Sequence, residues 1–193
     1  MFAPDAKVAA ITLDDGPDPD WTPAILDTLR EKGIKATFFV VGKSAQAYPD
    51  LIQRMVEEGH VVSNHSWSHA DLRKVSSSEF SNQIDRTNAL IREMTGHDTP
   101  CVRAPGGDVD DSVISAISKR GQTTMRWDTS TGDFLRKGVQ YQIDAVMERL
   151  HPGSVILMHD GGGDRSQTVE ALPQIIDKVR AKGYEFTTVC APK

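Results

Sequence analysis

Of the 193 residues, 38% are hydrophobic and 25% charged, which fits one globular domain able to bury its own core without a metal or disulfide staple. The formal net charge of −5 arises from interspersed acidic and basic residues, and no basic run is present to neutralise a row of phosphates or an anionic membrane surface, so a nucleic-acid partner is disfavoured. No stretch approaches the roughly 18 consecutive apolar residues of a membrane span, and the opening Met1-Phe-Ala-Pro-Asp5 has no basic-then-apolar signal pattern, so a soluble chain is expected; the first strand-like run begins almost at once, which is compatible with a mature or excised domain whose export signal was removed and leaves the compartment open.

Short runs rich in Val, Ile, Thr and Phe alternate along the chain with longer amphipathic stretches. The first predicted strand is Val8 to Leu13, followed by a helix from Trp21 to Lys32, a strand from Ala36 to Val41 and a helix from Pro49 to Glu58. A strand from Val61 to Asn64 leads into a helix from Ser77 to Thr95, and Cys101 to Arg103 is the next strand. Then come a helix from Asp111 to Arg120, a strand from Thr123 to Trp127, a helix from Tyr141 to Leu150, a strand from Ser154 to Met158, a helix from Gln167 to Lys182 and a last strand from Glu185 to Val189. Asp20 is placed to cap the first helix, Ser76 and Glu79 to form a capping box, and Gly33, Gly59, Gly96, Gly121 and Gly183 follow helix ends where a left-handed residue is wanted. The alternation implies an α/β fold with a mainly parallel sheet, either open and doubly wound or a barrel with fewer than eight units. No linker, repeat or low-complexity segment divides residues 1–193, so a single domain is expected. Cys101 and Cys190 have neither the spacing of a metal motif nor the number for a disulfide framework; buried thiols are expected, with one bridge as the alternative.

The polar residues of interest follow strands. Asp14 and Asp15 come after the first, His65 and His69 after the third, Arg103 ends the fourth, Trp127 and Asp128 end the fifth, and His159 follows the sixth. In parallel α/β proteins the carboxyl ends of strands meet on one face, where loops build sites. His65 and His69 lie four apart, which places both imidazoles on one side if the segment turns helically. With Asp15 they make a two-His, one-carboxylate set that leaves open positions on a cation, zinc by default, with cobalt or nickel fitting the same ligands. Asp14 then stays off the metal as a general base for water, and Arg103 is its natural partner. A solvated turn before Gly16-Pro17 and a surface ion pair are the plain alternatives.

His159 is placed as a general acid, with a core histidine as the alternative. His60, His97 and His151 read as structural. Gly106 and Gly107 permit close approach of backbone amides to an oxyanion, although a plain turn explains them equally. Trp127 and Phe134 would line a pocket unless they are core.

In order, Thr12-Leu-Asp-Asp-Gly-Pro17, His65-Ser-Trp-Ser-His69, Arg103-Ala-Pro-Gly-Gly107, Trp127 to Phe134 and Leu157-Met-His159 resemble the motifs of the polysaccharide deacetylase family, the NodB-homology domain of carbohydrate esterase family 4. The resemblance runs from Ile11 to about Val189. It implies a distorted barrel of about seven strand-helix units, with Asp14 as base, Asp15, His65 and His69 as metal ligands, Arg103 as partner of the base and His159 as acid. Pro105, Gly106, Trp127, Phe134 and Leu157 would contact substrate. The implied reaction is metal-dependent deacetylation of a carbohydrate, first N-acetylglucosamine units of chitin-like oligosaccharide or peptidoglycan. Acetylxylan, a cyclic amide, or silent sugar binding are the alternatives. Such polymers lie outside the cytoplasm, so an extracellular or cell-surface location is implied.

The chain departs from the family where Trp-x-x-Asp-x-x-Asp-Trp is usual and Trp127-Asp-Thr-Ser130-Thr-Gly-Asp133-Phe134 stands. Ser130 aligns with the Asp that supports the catalytic histidine, so His159 should hold its proton less tightly unless Asp128 or Asp133 moves in. Ala104 and Gly106 stand where many members have Pro and Tyr, and Gly161-Gly-Gly163 where an aromatic is frequent, which suggests a wider groove.

Overall fold

The computed structural model describes residues 6–192. In chain order it contains β1 (Val8–Asp14), α1 (Thr22–Glu31), β2 (Thr37–Val40), α2 (Gly42–Ala47), α3 (Pro49–Glu57), β3 (Val61–Asn64), α4 (Ser77–Thr95), β4 (Cys101–Val102), α5 (Asp111–Ser118), β5 (Thr123–Thr124), β6 (Thr129–Ser130), α6 (Val139–Arg149), β7 (Ser154–His159), α7 (Ser166–Ala181) and β8 (Glu185–Phe186). The strands form one parallel sheet in the order β5-β4-β3-β2-β1-β7-β6, with β8 added to the start of β1. The sheet curls into a distorted barrel whose end strands, β5 and β6, are bridged by the segment from Met125 to Asp128. Its backbone bonds Val102 O at one side (2.9 Å) and Val155 O at the other (3.3 Å).

Side chains alternate across a strand, and this sorts the core from the site. Ile11 and Leu13 of β1, Phe38 and Val40 of β2, and Ile156 and Met158 of β7 join Leu26, Ile52, Ile143, Leu172 and Ile176 of the helices in the main core cluster. The intervening residues, Thr12 and Asp14, Phe39, and Leu157 and His159, take the other face. A smaller cluster beneath α4 and α5 contains Leu72, Phe80, Ile84, Val102, Val113 and Ile117. No helix among the described residues is long and apolar enough to cross a membrane.

Helix ends fall within about two residues of those expected. The short α2 was not expected, and the strand expected from Thr123 to Trp127 ends at Thr124: ladder pairing with β4 stops there, and the chain resumes as β6 only where it meets β7. The last strand stops at Phe186 rather than Val189, and Val189 instead binds Thr37 Oγ1 through its N–H (3.2 Å) and its carbonyl (2.8 Å). Asp20 does not cap α1; it is exposed, and its N–H is taken by Asp18 Oδ1 (2.9 Å). Ser76 accepts from Glu79 N–H (3.2 Å), but the Glu79 carboxylate takes Gln83 (2.7 Å) rather than closing the capping box.

The expectation of buried thiols is corrected: Cys101 and Cys190 form a disulfide, their Cα atoms 5.7 Å apart. Spacing gave no sign of it. The tail, held to the first residue of β2 through Val189, continues along the amino-terminal ends of the strands to the first residue of β4.

Candidate active site

Asp14 is the last residue of β1 and Asp15 adopts a left-handed φ of 76°, so the two adjacent carboxylates diverge. That conformation is costly for a non-glycine residue and is kept only where its surroundings enforce it. Gly161 and Gly162 supply the surroundings. A Cβ on Gly161 would lie 2.6 Å from Asp15 O, and one on Gly162 would lie 2.5 Å from Asp15 Oδ2. The glycine run is therefore the bed of Asp15 at these two positions, which corrects the reading of it as mere widening of the groove.

His65 and His69 converge by a route other than the helix that their spacing suggested. Ser66 and His69 have φ of 67° and 59°, and no helix forms between β3 and the following loop. Trp67, between the histidines, is buried, with Arg86 stacked on it at 3.5 Å. Its carbonyl accepts from Lys43 N–H (2.9 Å), while Gln83 Oε1 accepts from Trp67 and Ser68 N–H (both 2.9 Å). Trp67 and Gln83 were missed as functional residues; the tryptophan enclosed by two histidines was the available signal.

His65 Nδ1 donates to Arg103 O (2.8 Å), which leaves Nε2 with a free lone pair in the neutral ring. Asp15 Oδ1 lies 3.3 Å from His65 Nε2 and 3.1 Å from His69 Nε2, yet it is buried with no hydrogen bond. One oxygen and two nitrogens thus converge, with all three ligand atoms within 4.8 Å of one another. An orphaned buried carboxylate oxygen is costly unless a cation or proton meets it, and this donor set suits a divalent metal. Burial works to raise the Asp15 pKa, but the imidazoles beside it outweigh burial and hold it well below the usual carboxylate range. Asp15 in turn raises the pKa of His69.

Asp14 faces elsewhere. Its Oδ1 accepts from Arg103 Nη1 (2.8 Å), and Oδ2 is 3.8 Å from His65 Nε2. Arg103 is 0% exposed, so the alternative of a surface ion pair is corrected. Its guanidinium also donates to Thr12 Oγ1 (2.8 Å) and Arg126 O (3.4 Å), and lies 4.1 Å from the Phe39 ring centroid and 5.6 Å from that of Trp127. Removing one partner of such a buried pair typically costs about 3–5 kcal/mol.

His159 stands beside Asp14 in register across β1 and β7. Its Nδ1 is 2.8 Å from Asp133 Oδ1, and its N–H donates to Asp133 Oδ2 (2.8 Å). Phe134 N–H (3.0 Å) and Thr168 Oγ1 (3.1 Å) also donate to this buried carboxylate. Burial opposes a charge on His159, but the hydrogen bond and charge of Asp133 overcome it and raise the pKa. Asp133 is lowered, its burial outweighed mainly by His159.

The carboxylate expected to be missing is therefore present. Ser130 lies away from the histidine, its hydroxyl accepting from Gly132 N–H (3.2 Å). Asp128 sits near the opposite end of β7, accepting from Val155 N–H (3.1 Å) beside His151 (3.2 Å). The expectation that Ser130 weakens the acid, and that Asp128 tunes it, is overturned.

Pro105 is buried in a 3₁₀ turn with Gly106 and Gly107. A Cβ on Gly107 would lie 2.4 Å from Trp127, so packing explains that glycine, while Gly106 is exposed at the rim. Phe134 is exposed and meets His159 edge-on, ring centroids 6.0 Å apart. Leu157 is buried on the inner strand face between Thr12 and Ser130. Asp160, not singled out from sequence, is buried behind the site. Burial, then the charges of Asp15 and Asp14, push its pKa to about 7, against a hydrogen bond from Thr22 Oγ1 (2.7 Å).

A family profile described as polysaccharide deacetylase matches residues 3–125. A peptidoglycan-N-acetylglucosamine deacetylase of Bacillus cereus is 35% identical over 181 residues, which are 93% of this chain and 66% of that protein. A chitooligosaccharide deacetylase of Sinorhizobium fredii is 36% identical over 185 residues, 90% of this chain and 86% of that one. The structure of a peptidoglycan N-acetylglucosamine deacetylase in complex with 4-naphthalen-1-yl-N-oxidanyl-benzamide superposes with a TM-score of 0.93 at 34% identity, covering 97% of this chain and 88% of that chain.

Proposed function

The chain belongs to the polysaccharide deacetylase family, and on that premise we propose that it is a metal-dependent hydrolase that removes the acetyl group from N-acetylglucosamine units of a glycan. The observation that carries the reading is the division between two neighbouring carboxylates: Asp15 faces two imidazole nitrogens, while Asp14 faces Arg103.

Asp15, His65 and His69 would hold the cation, with zinc the first choice and cobalt or nickel compatible. When bound, it supplies Lewis acidity that polarises the acetyl carbonyl and acidifies water. Asp14, oriented by the hydrogen bond from Arg103, takes a proton from the attacking water. In this reading the amide of Gly106, a residue exposed at the rim, donates to the tetrahedral oxyanion. His159 protonates the departing sugar amine as the C–N bond breaks and acetate leaves, and Asp133 holds the imidazolium oriented. Pro105, Trp127, Phe134 and Leu157 shape the surroundings of the acetyl group. An exported or cell-surface location is part of the same reading, supported by the Cys101–Cys190 bridge, since disulfides persist in oxidising compartments.

The test is acetate release from N-acetylglucosamine oligomers and acetylxylan side by side, after chelation and after adding back zinc or cobalt. Release from the oligomers that disappears with chelator and returns with metal is expected. Metal binding without release from either polymer would refute the assignment.

A further inference from the structure

Arg165, the residue just before α7, carries a buried charge that the mechanism above does not use. It is 6% exposed, and its side-chain hydrogen bonds among the described residues run to backbone carbonyls. Nε donates to Gly161 O (2.6 Å) and Nη2 to Gly162 O (3.3 Å). A buried cation is costly unless its donors are met, and a guanidinium suits this place because its planar fork serves two acceptors at once. The two acceptors are successive: Gly162 is left-handed, with φ of 71°, and the carbonyls on either side of its Cα both turn to Arg165. These are the same glycines that pack on Asp15, Gly161 against its carbonyl and Gly162 against its carboxylate. Beyond Arg165, Ala171 and Leu172 of α7 are buried in the main core, so the guanidinium is carried by a firm support.

We propose that Arg165 is a positioning residue for the metal ligand Asp15: by holding the Gly161 and Gly162 carbonyls it fixes the bed that keeps Asp15 Oδ1 turned toward His65 and His69. The proposal rests on the metal-site reading above and adds to it a residue that acts through the backbone of two glycines. The competing account is that Arg165 only staples the start of α7. Thr168 separates the two. It lies in the first turn of the same helix and is buried, but its Oγ1 donates to Asp133 (3.1 Å), the partner of His159, and not to the glycine bed. Loosening this turn through Thr168 therefore disturbs the acid, whereas releasing the glycines through Arg165 disturbs Asp15.

The experiment measures zinc affinity of the chelated protein by calorimetry and the visible d–d absorption of the cobalt-loaded protein, with acetate release from N-acetylglucosamine oligomers recorded alongside. Arg165→Gln should raise the zinc Kd by about tenfold to a hundredfold, the usual effect of removing a residue that orients a metal ligand, and should alter the cobalt spectrum. Arg165→Lys keeps the charge but lacks the fork that meets both carbonyls, so its Kd should fall between wild type and Arg165→Gln. Thr168→Val should leave zinc affinity and the cobalt spectrum where they are. An Arg165→Gln protein that binds zinc as wild type does, or a Thr168→Val protein whose zinc affinity falls as far, overturns the proposal. If Arg165→Gln does not fold, Arg165→Lys decides by the same measurements, and an unchanged Kd there overturns it. Wild type that binds zinc but releases no acetate sinks the deacetylase reading alone, because the loss of affinity in Arg165→Gln still supports the positioning role; wild type that binds no zinc overturns both.

Discussion

The two poles of the site each pair a carboxylate with histidine, but by opposite arrangements. At the metal pole, Asp15 Oδ1 is buried without a hydrogen bond although two imidazole nitrogens face it within 3.3 Å. At the acid pole, Asp133 is also buried, yet accepts from His159 Nδ1, two backbone N–H groups and Thr168. Unspent lone pairs that point at one place call for a cation. A carboxylate whose lone pairs are already met can only orient its histidine and bias its charge. Similar residue types thus serve different chemistry because their hydrogen bonds are satisfied to different degrees.

The largest break in this comparison is at the metal pole and its neighbouring base. Asp14→Asn should lower kcat/KM by about 10³-fold or more while zinc still binds by calorimetry, whereas His69→Ala should lose both activity and zinc affinity. Loss of zinc from Asp14→Asn with His69→Ala unaffected would reverse the assignment of the two carboxylates.

A smaller break is expected at the acid pole. Asp133 raises the His159 pKa, so the protonated acid survives to higher pH in its presence. Asp133→Asn should lower kcat by roughly 10²-fold and move the alkaline limb of the pH profile to lower pH by about one unit. An alkaline limb that stays in place would show that His159 is not the titrating acid.

His60 sharpens the comparison, as a buried histidine at neither pole. Its Nδ1 accepts from Ala36 N–H (3.1 Å), and burial, then Lys35, pushes its pKa down to about 4. The fold holds the neutral ring, while the unfolded chain takes up a proton below about 6.5. Stability from this histidine is therefore complete above that pH and is lost as pH falls toward 4, by roughly 2 kcal/mol. Urea midpoints of wild type and His60→Gln should converge across this window; a constant difference would place the charge change elsewhere.

The smallest effect is expected at Ser130. With Asp133 already on His159, Ser130→Asp should leave the alkaline limb where it is and change kcat/KM less than about twofold. An extension to higher pH would mean that the carboxylate at 130 displaces Asp133.

Much of this site was legible before the fold was known. The short Val-, Ile- and Thr-rich runs marked β1, β3 and β7, and the residues at or just beyond their ends, Asp14, Asp15, His65 and His159, do gather at one face. Side-chain direction in a strand follows from residue parity, and parallel strands bring their carboxyl ends together. The left-handed turns after the helices were readable for a similar local reason, as Gly33, Gly96 and Gly183 with φ of 62°, 76° and 83° demonstrate. The helical reading of His65 to His69 failed because Trp67 and Gln83 hold that segment in a loop through contacts made fifteen or so residues away.

The sequence by itself determined the alternating α/β architecture, the order of the chemical residues along it and the local facing of those in strands. Only the tertiary structure decided that Asp133 rather than residue 130 serves His159, that Arg103 is wholly buried against Asp14, that Gly161 and Gly162 bed Asp15, and that Cys101 is joined to Cys190. The physical reason is the range of the forces involved. Periodicity and capping act within a few residues and leave their mark on spacing. A loop carboxylate or a tail cysteine is positioned by packing and hydrogen bonds to strands remote in the chain, and spacing carries no record of those.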